Sequence, residues 1–398
     1  MIENKFLIEK IEDITMLIKN NYDYDKHNYS LFFGDSGILL FYAYYYRYVN
    51  NTESIYKTLV FTIEKILSKI ENQVIDQNQV EYNFVDGLSG FYWCLQQLER
   101  LNLINISDII DKESIASIIL TQSINDLRSN KNFDFMYGGI GAAYPFMNNT
   151  DIDIFDAINN EIIKIPQVDE SVAVWVQKMY NDDKKQWEKG QNLGIAHGYA
   201  SVLLYLIKSN EIKPSKIILK LIDYTSIQLL KLRFSNNNIS EFPSEALLDG
   251  TLGSPTAIWW SYSDIGIALA LYKSGKVLGK TSHVDTALDI LQKSLIRTAE
   301  SDIPVLNVGM CQGSAGIIQL IQRFKFIFDE ANVSNAYDYW TNDLLEKISK
   351  STENLHFDYQ DKTRTTSFDL FDGLAGVGLS LISQICGDYE WNKSFIIS

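Results

Sequence analysis

Three reactive side chains stand beside short glycine motifs, and their types suit proton transfer with a thiol at hand. His197 directly precedes a glycine in Leu193-Gly194-Ile195-Ala196-His197-Gly198. Cys311 lies two places before one in Val308-Gly309-Met310-Cys311-Gln312-Gly313, and Asp134 four places before Gly138, among Phe133, Phe135 and Tyr137. An imidazole titrates near neutral pH and moves protons in either direction, while a carboxylate beside it orients or charges the ring. A thiol becomes a nucleophile or metal ligand once deprotonated. Each residue also has a plainer reading. His197 suits a hydrogen-bonded helix end, Asp134 a helix cap or loop acceptor, and Cys311 a small buried hydrophobe. Tyr262, among Trp259, Trp260 and Tyr272, reads as pocket lining or as core.

The elements that must position these groups are legible from repetition. Seven motifs of the form Gly-x-x-Gly, or one substitution away, recur: Gly34 to Gly37, Gly87 to Gly90, Gly138 to Gly141, Gly198 to Ser201, Ser263 to Gly266, Gly313 to Gly316 and Gly373 to Gly376. Their first positions are 53, 51, 60, 65, 50 and 60 residues apart, a spacing that points to stacked supersecondary units. Each motif opens an apolar run such as Ile38-Leu39-Leu40 or Val202-Leu203-Leu204, which predicts a helix buried on nearly all sides. Between them lie segments with one apolar stripe, such as Ile55, Leu59, Ile63 and Ile66, or Leu288, Leu291 and Leu295, which predict amphipathic helices with a wet face.

Seven such pairs close most simply into an all-α fold, an α/α toroid of seven inner and seven outer helices forming a single domain over residues 1–398. In a closed ring the three reactive side chains reach one central cavity. An open solenoid is the alternative, but no Pro/Gly/Ser-rich linker divides the chain and no polar cap repeat ends it. Glycine at both motif ends is expected to let crowded inner helices approach closely. Asp86 and Asp372 suit helix N-termini as acceptors. Two stretches break the rhythm, 151–193 and 234–260. The first carries Ile162-Ile163-Lys164-Ile165-Pro166, Ser171 to Val176 and a polar run through Asp182-Asp183-Lys184-Lys185. The second contains Asn236 to Asn238, Pro243, Gly250, Gly253 and Pro255. The β-branched alternation in the first predicts short strands, and long insertions on a rigid frame usually build or cover a site.

Composition narrows the function classes. A formal charge of −15 argues against nucleic acid as the main partner and leaves a cationic peptide or protein as the better fit. Three cysteines far apart, Cys94, Cys311 and Cys386, make a disulfide framework improbable and a reducing cytoplasm the default. The first nineteen residues alternate charges with apolar positions, unlike a signal peptide, and no apolar run reaches membrane-spanning length. There is no phosphate-binding Gly-x-x-x-x-Gly-Lys-Ser/Thr loop. A glycoside hydrolase needs two carboxylates across a cleft. Beside Asp134 the glycine turns offer only the exposed-looking Asp35 and Asp264.

Four segments together carry a family resemblance: Ala196-His197-Gly198, Trp260-x-Tyr262-x-x-x-Gly266, Cys311-x-Gly313-x-x-Gly316, and Phe371-Asp372-Gly373-Leu374-Ala375-Gly376-Val377-Gly378-Leu379. On these the chain resembles, along essentially its whole length, the lanthionine synthetase C-like family, the cyclases of class I lanthipeptide (lantibiotic) maturation. The resemblance implies an α/α toroid with a small SH2-like insertion, which the break at 151–193 would begin. It also implies a ribosomally made precursor peptide with a leader as substrate, a dehydratase and an exporter as partners, and a cytoplasmic location, peripheral to a membrane only through those partners. The family reaction adds a peptide cysteine to a dehydroalanine or dehydrobutyrine of the same peptide, with a zinc ion holding the thiolate. On that template His197 transfers the proton, Asp134 orients the imidazole and Tyr262 lines the cavity.

The chain departs from the family where the zinc would bind. Ser261 stands at the first cysteine position, in Trp260-Ser261-Tyr262, and Gln312 at the histidine position after Cys311. A hydroxyl and an amide are poor zinc ligands beside thiolate and imidazole. The other histidines, His27, His283 and His356, stand beside no glycine motif. The arginine common ahead of the repeat-five tryptophan is also missing from Ser254 to Ile258. Two readings stay open: a cyclase without tightly bound zinc, and a non-catalytic pseudo-cyclase that binds the precursor and scaffolds a modification complex. The depleted ligand set predicts purified protein with well under one zinc per chain. Elemental analysis giving one firmly held equivalent would overturn that expectation.

Overall fold

Six of the seven motifs open a helix by the same backbone device. The first amides of a helix have no partner inside it, and here a carbonyl seven residues earlier accepts from them. The donors and acceptors are Asp35 to Asn28 (3.0 Å), Leu88 to Glu81 (2.9 Å), Gly139 to Asn132 (2.9 Å), Ala200 to Leu193 (3.3 Å), Ser314 to Asn307 (3.2 Å) and Leu374 to Ser367 (3.0 Å). The preceding loop therefore lies directly against the first motif glycine. A Cβ on Gly34 would sit 2.3 Å from Asn28 O, on Gly87 2.5 Å from Glu81 O and on Gly198 2.0 Å from Asn192 O. These glycines adopt extended angles that any residue can take, so space rather than φ demands them. Repeat five differs. Its N-cap is Ser263, whose hydroxyl accepts from Gly266 N at 3.3 Å.

The computed structural model describes residues 4–75, 80–147, 151–181, 185–235, 239–301, 303–328, 330–351 and 353–396. The helices run α1 (Asn4–Asn21), α2 (Asp35–Tyr48), α3 (Glu53–Ile75), α4 (Leu88–Arg100), α5 (Lys112–Asn130), α6 (Gly139–Ala143) and α7 (Ile152–Ile162). They continue as α8 (Tyr199–Ile212), α9 (Lys216–Lys231), α10 (Asp264–Leu278), α11 (Thr281–Leu295), α12 (Ser314–Ile327), α13 (Ala331–Lys350) and α14 (Leu374–Cys386). The even-numbered helices are those the motifs open. In α2 every residue from Asp35 to Tyr45 is buried, and in α8 every residue from Tyr199 to Ile207. By contrast α9 buries one stripe, including Ile218, Leu221, Ile222 and Leu229. The expected alternation of enclosed and half-exposed helices is present.

The chain forms two compact units. In the first (residues 1–123, 306–319 and 339–394), α1 packs on α14, α14 on α2, and α2 on α3 and α4. The motif loops join by backbone bonds: Met310 N to Phe371 O (2.8 Å), Phe371 N to Phe32 O (3.1 Å) and Leu31 N to Val85 O (2.8 Å). The order in space is thus repeat six, seven, one, two. The second motif glycines sit at these junctions. A Cβ on Gly37 would lie 2.7 Å from Leu370 Cβ, and one on Gly90 2.8 Å from Leu31 Cβ. The second glycine therefore makes room both for its own loop, with Leu31 O 2.5 Å from a Cβ on Gly37 and Phe84 O 2.0 Å from one on Gly90, and for the neighbouring repeat.

In the second unit (residues 124–305, 320–338 and 395–398), α8 packs on α9 and α10, and α10 on α11. Among the described residues, seven short strands in three antiparallel sheets qualify the all-α expectation, although the chain is mostly helical. In this unit β1 (Gln167–Asp169) pairs with β2 (Val172–Val174), and β3 (Gln177–Asn181), β4 (Gln186–Asn192) and β5 (Glu245–Leu247) form a sheet in that order. Strands thus occupy the first break as expected, and β5 brings in the second. The segment Ile162 to Pro166 is not a strand: Ile162 ends α7 and turns follow, because α7 buries Phe155, Ile158 and Ile162 on one helical face. Asp182 to Lys184 and Asn236 to Asn238 lie outside the described residues. The pair β6 (His356–Phe357) and β7 (Arg364–Thr365) belongs to the first unit and was not foreseen.

Asp86 and Asp372 do not cap their helices, because Gly87 and Gly373 occupy the cap positions and loop carbonyls already take the amides. Among the described residues neither carboxylate accepts a cap bond from its helix. Burial and the charge of Asp369 push the Asp372 carboxyl up to about 7. Substituting Gly198→Ala forces a methyl into the Asn192 backbone, at a cost of about 1–3 kcal/mol. In Gly266→Ala the new Cβ meets Ile195 at an ordinary 3.4 Å. Denaturant unfolding is expected to lower the midpoint for the first variant and leave the second near wild type.

Candidate active site

Asp134 occupies the motif position four before the glycine, where several of the loops carry an acceptor for their own amides. Ser30, Asn83 and Asp369 do this in repeats one, two and seven, accepting from Phe33 N, Asp86 N, and Phe371 N with Asp372 N. Asp134 Oδ1 does the same for Met136 N (2.7 Å) and Tyr137 N (2.9 Å). The structural reading of Asp134 is therefore right. It is also incomplete, because Oδ2 lies 2.8 Å from His197 Nδ1.

His197 reaches that carboxylate from the position directly before its motif glycine. The equivalent residues of repeats three and five flank it. Tyr137 stacks on its ring at 6.2 Å between centroids with 9° between planes, and Tyr262 sits tilted at 6.4 Å. The loop carrying His197 lies on the Ser261–Tyr262 backbone, with Ala196 N donating to Ser261 O (3.4 Å). Gly194 permits this, since a Cβ there would be 2.3 Å from Ser261 O. The imidazole side chain is 27% exposed and that of Asp134 11%, so the ring is partly accessible. Burial tends to lower the His197 pKa, but the charge of Asp134 and its hydrogen bond outweigh that and raise it above the ordinary value. With Nδ1 held by a carboxylate, Nε2 is the nitrogen free to exchange protons.

Two residues that the sequence did not single out complete the arrangement. Gln177, on β3, donates through Nε2 to His197 O (2.7 Å) and Asp134 Oδ2 (3.3 Å). Asn192, at the end of β4, donates through Nδ2 to Tyr262 OH (3.1 Å), and its Oδ1 accepts from Gly194 N (3.0 Å). No local signal marks either residue, because their partners come from distant repeats.

Asp134, His197, Ser261 and Tyr262 thus converge in the second unit. Ser261 is buried and its hydroxyl finds no hydrogen-bond partner among the described residues. Cys311 and Gln312 belong to the first unit, where Cys311 is buried, takes part in no disulfide, and donates its amide to Phe371 O (3.0 Å). The three positions the family uses for zinc offer a hydroxyl, a thiol and an amide, a donor set that does not fit a tightly held zinc ion. Among the described residues no group of three or more His, Cys, Asp or Glu side chains could hold a metal ion. Asp35 and Asp264, which looked exposed in sequence, are buried. Asp35 accepts from Tyr22 OH (2.8 Å) and pairs with Lys69, and Asp264 accepts from Glu241 N (2.8 Å) and Phe242 N (3.1 Å). Both are occupied in holding loops to helices, so neither is the open second carboxylate that a glycosidase would use.

The profile of the family described as lanthionine synthetase C-like protein matches residues 28–396. The chain belongs to the lanthionine synthetase C-like family. Among solved structures it is similar to a nisin cyclase, with a TM-score of 0.74 and 16% identity over 99% of this chain and 98% of that one. Identity at that level speaks for a shared fold. No curated protein sequence matches significantly. Among the described residues no helix of this family member is long and apolar enough to cross a membrane.

The raised His197 pKa has a consequence for stability. Because the folded value lies above the unfolded one, the pair's stabilisation is fully present below the unfolded value, near 6.5, and is lost as pH rises through the folded value. Asp134→Asn removes the charge and leaves burial, so NMR titration should place His197 of the variant below wild type. The melting-temperature gap between the two proteins should widen as pH falls from about 8 to about 6.

Proposed function

We propose that this protein closes thioether rings in a dehydrated precursor peptide, using the His197–Asp134 pair as its proton carrier and without tightly held zinc. The observation that carries the reading is the 2.8 Å contact between His197 Nδ1 and Asp134 Oδ2 in a partly exposed imidazole. In the reaction a peptide cysteine thiol gives its proton to His197 Nε2, and the sulfur bonds to Cβ of a dehydroalanine or dehydrobutyrine. The π electrons move into an enolate, and the imidazolium returns a proton to Cα. The proton count closes, so a histidine suffices as carrier. Holding both ends of one peptide together contributes the rest, since proximity alone makes an intramolecular addition far faster. Tyr137 and Tyr262 would wall the imidazole on either side, and Tyr262 is the lining residue expected from sequence.

We further infer that the helices form one α/α toroid over residues 1–398, with an SH2-like insertion built from the 151–193 and 234–260 stretches. The packing of repeat seven on repeat one, through Phe371 N to Phe32 O, supports closure of the two ends of the repeat series. A precursor peptide with its leader, a dehydratase and an exporter are the partners this reading calls for, in the cytoplasm. Ser261 and Gln312 favour the second reading, a pseudo-cyclase that binds the precursor and scaffolds a modification complex. Incubation with a dehydrated precursor, followed by thiol alkylation and mass measurement, separates the two. The cyclase reading expects peptide thiols to disappear with wild type and persist with His197→Ala, whose loss of the proton carrier should slow the reaction at least a hundredfold. Full retention of thiols with folded wild type would favour the scaffold.

A further inference from the structure

We propose that Gln177 is a positioning residue for the His197–Asp134 pair, through which the inserted sheet holds the imidazole in the tautomer that leaves Nε2 free to react. The proposal rests on the reading of His197 as proton carrier only for its catalytic consequence. Gln177 Nε2 stands 2.7 Å from His197 O and 3.3 Å from Asp134 Oδ2. Both neighbours are acceptors, so the amide must turn its nitrogen end toward them. One side chain thereby bridges the backbone that carries the imidazole and the carboxylate that grips it.

The carboxylate has no freedom left. Oδ1 is taken by the amides of Met136 and Tyr137, and Oδ2 is shared between Gln177 and His197 Nδ1. With both oxygens fixed from three directions, the ring must present a protonated Nδ1 to Oδ2. The bridge reaches the pair from the sheet. Gln177 pairs across the ladder with Gly190 of β4. Two residues further along β4, Asn192 donates to Tyr262 OH and accepts from Gly194 N. A Cβ on Gly190 would meet Met179 Cε at 2.1 Å and Ala246 O at 2.9 Å, so the strands fit tightly at that rung. The sheet therefore places both the dyad and the tyrosine beside it.

The test uses the full chain with nitrogen-labelled histidine. Wild type is expected to show neutral His197 as the Nδ1–H tautomer. Gln177→Leu, of similar size and without donors, should show a mixture of tautomers and a titration displaced from wild type. In ring closure, kcat should fall about tenfold with KM nearly unchanged, the size expected for losing one hydrogen bond to a charged group. A folded Gln177→Leu protein with the wild-type tautomer and titration overturns the proposal, whatever its ring-closing rate. A changed tautomer with unchanged ring closure supports the positioning role and counts instead against His197 as proton carrier. Should Gln177→Leu not fold by circular dichroism, Gln177→Asn, one methylene shorter, reaches only one of the two acceptors and is measured in the same way. A wild-type tautomer there overturns the proposal as well.

Discussion

A helix that begins inside a protein must find acceptors for its first amides, and in six of the seven motif repeats the carbonyl seven residues upstream provides one. That constraint presses the upstream loop against the motif glycine so closely that a methyl group has no room. It also aims the residue just before the glycine. Tyr137 and His197 hold that position in repeats three and four, Tyr262 holds the equivalent place before Ser263 in repeat five, and their rings stand side by side at 6.2 and 6.4 Å. The site is therefore a by-product of how the helices start. The proposed proton carrier thus stands at a position whose direction the backbone already dictates.

The same loops explain why a carboxylate could be recruited cheaply. In repeats one, two and seven the position four before the first glycine already supplies an acceptor to its own loop, through Ser30, Asn83 and Asp369. An aspartate in repeat three adds a second oxygen to that duty, and His197 binds it. Burial alone would depress the imidazole pKa, but the nearby charge wins and raises it. A group poised in this way suits proton exchange near neutral pH. Ser261 shows the opposite outcome, a buried hydroxyl left without a partner among the described residues, at a position where the family resemblance implies a metal-bound thiolate.

Much of this was legible in the residues. The spacing of the glycine motifs gave the alternation of enclosed and one-sided helices, and the neighbours of those glycines gave His197, Asp134 and Tyr262. Strands in the 151–193 stretch were legible in their β-branched alternation, yet Ile162 to Pro166 showed the same letters and ends a helix, because burial of Phe155 and Ile158 one turn earlier decides the matter. Asp35 and Asp264 read as exposed because charge usually is. Each is in fact buried with its bonds filled by partners 13 or more residues away.

The sequence by itself determined the repeat period, the helix starts and the identity of the side chains beside them, because those depend on contacts within seven residues. Only the tertiary structure decided that Asp134 meets His197 across 63 residues, that Gln177 bridges the two, and that Asn192 holds a tyrosine 70 residues away. Such bonds depend on where loops of different repeats come to lie. That placement is set by close packing between glycines, sheets and carbonyls, which leaves no periodic trace in the chain.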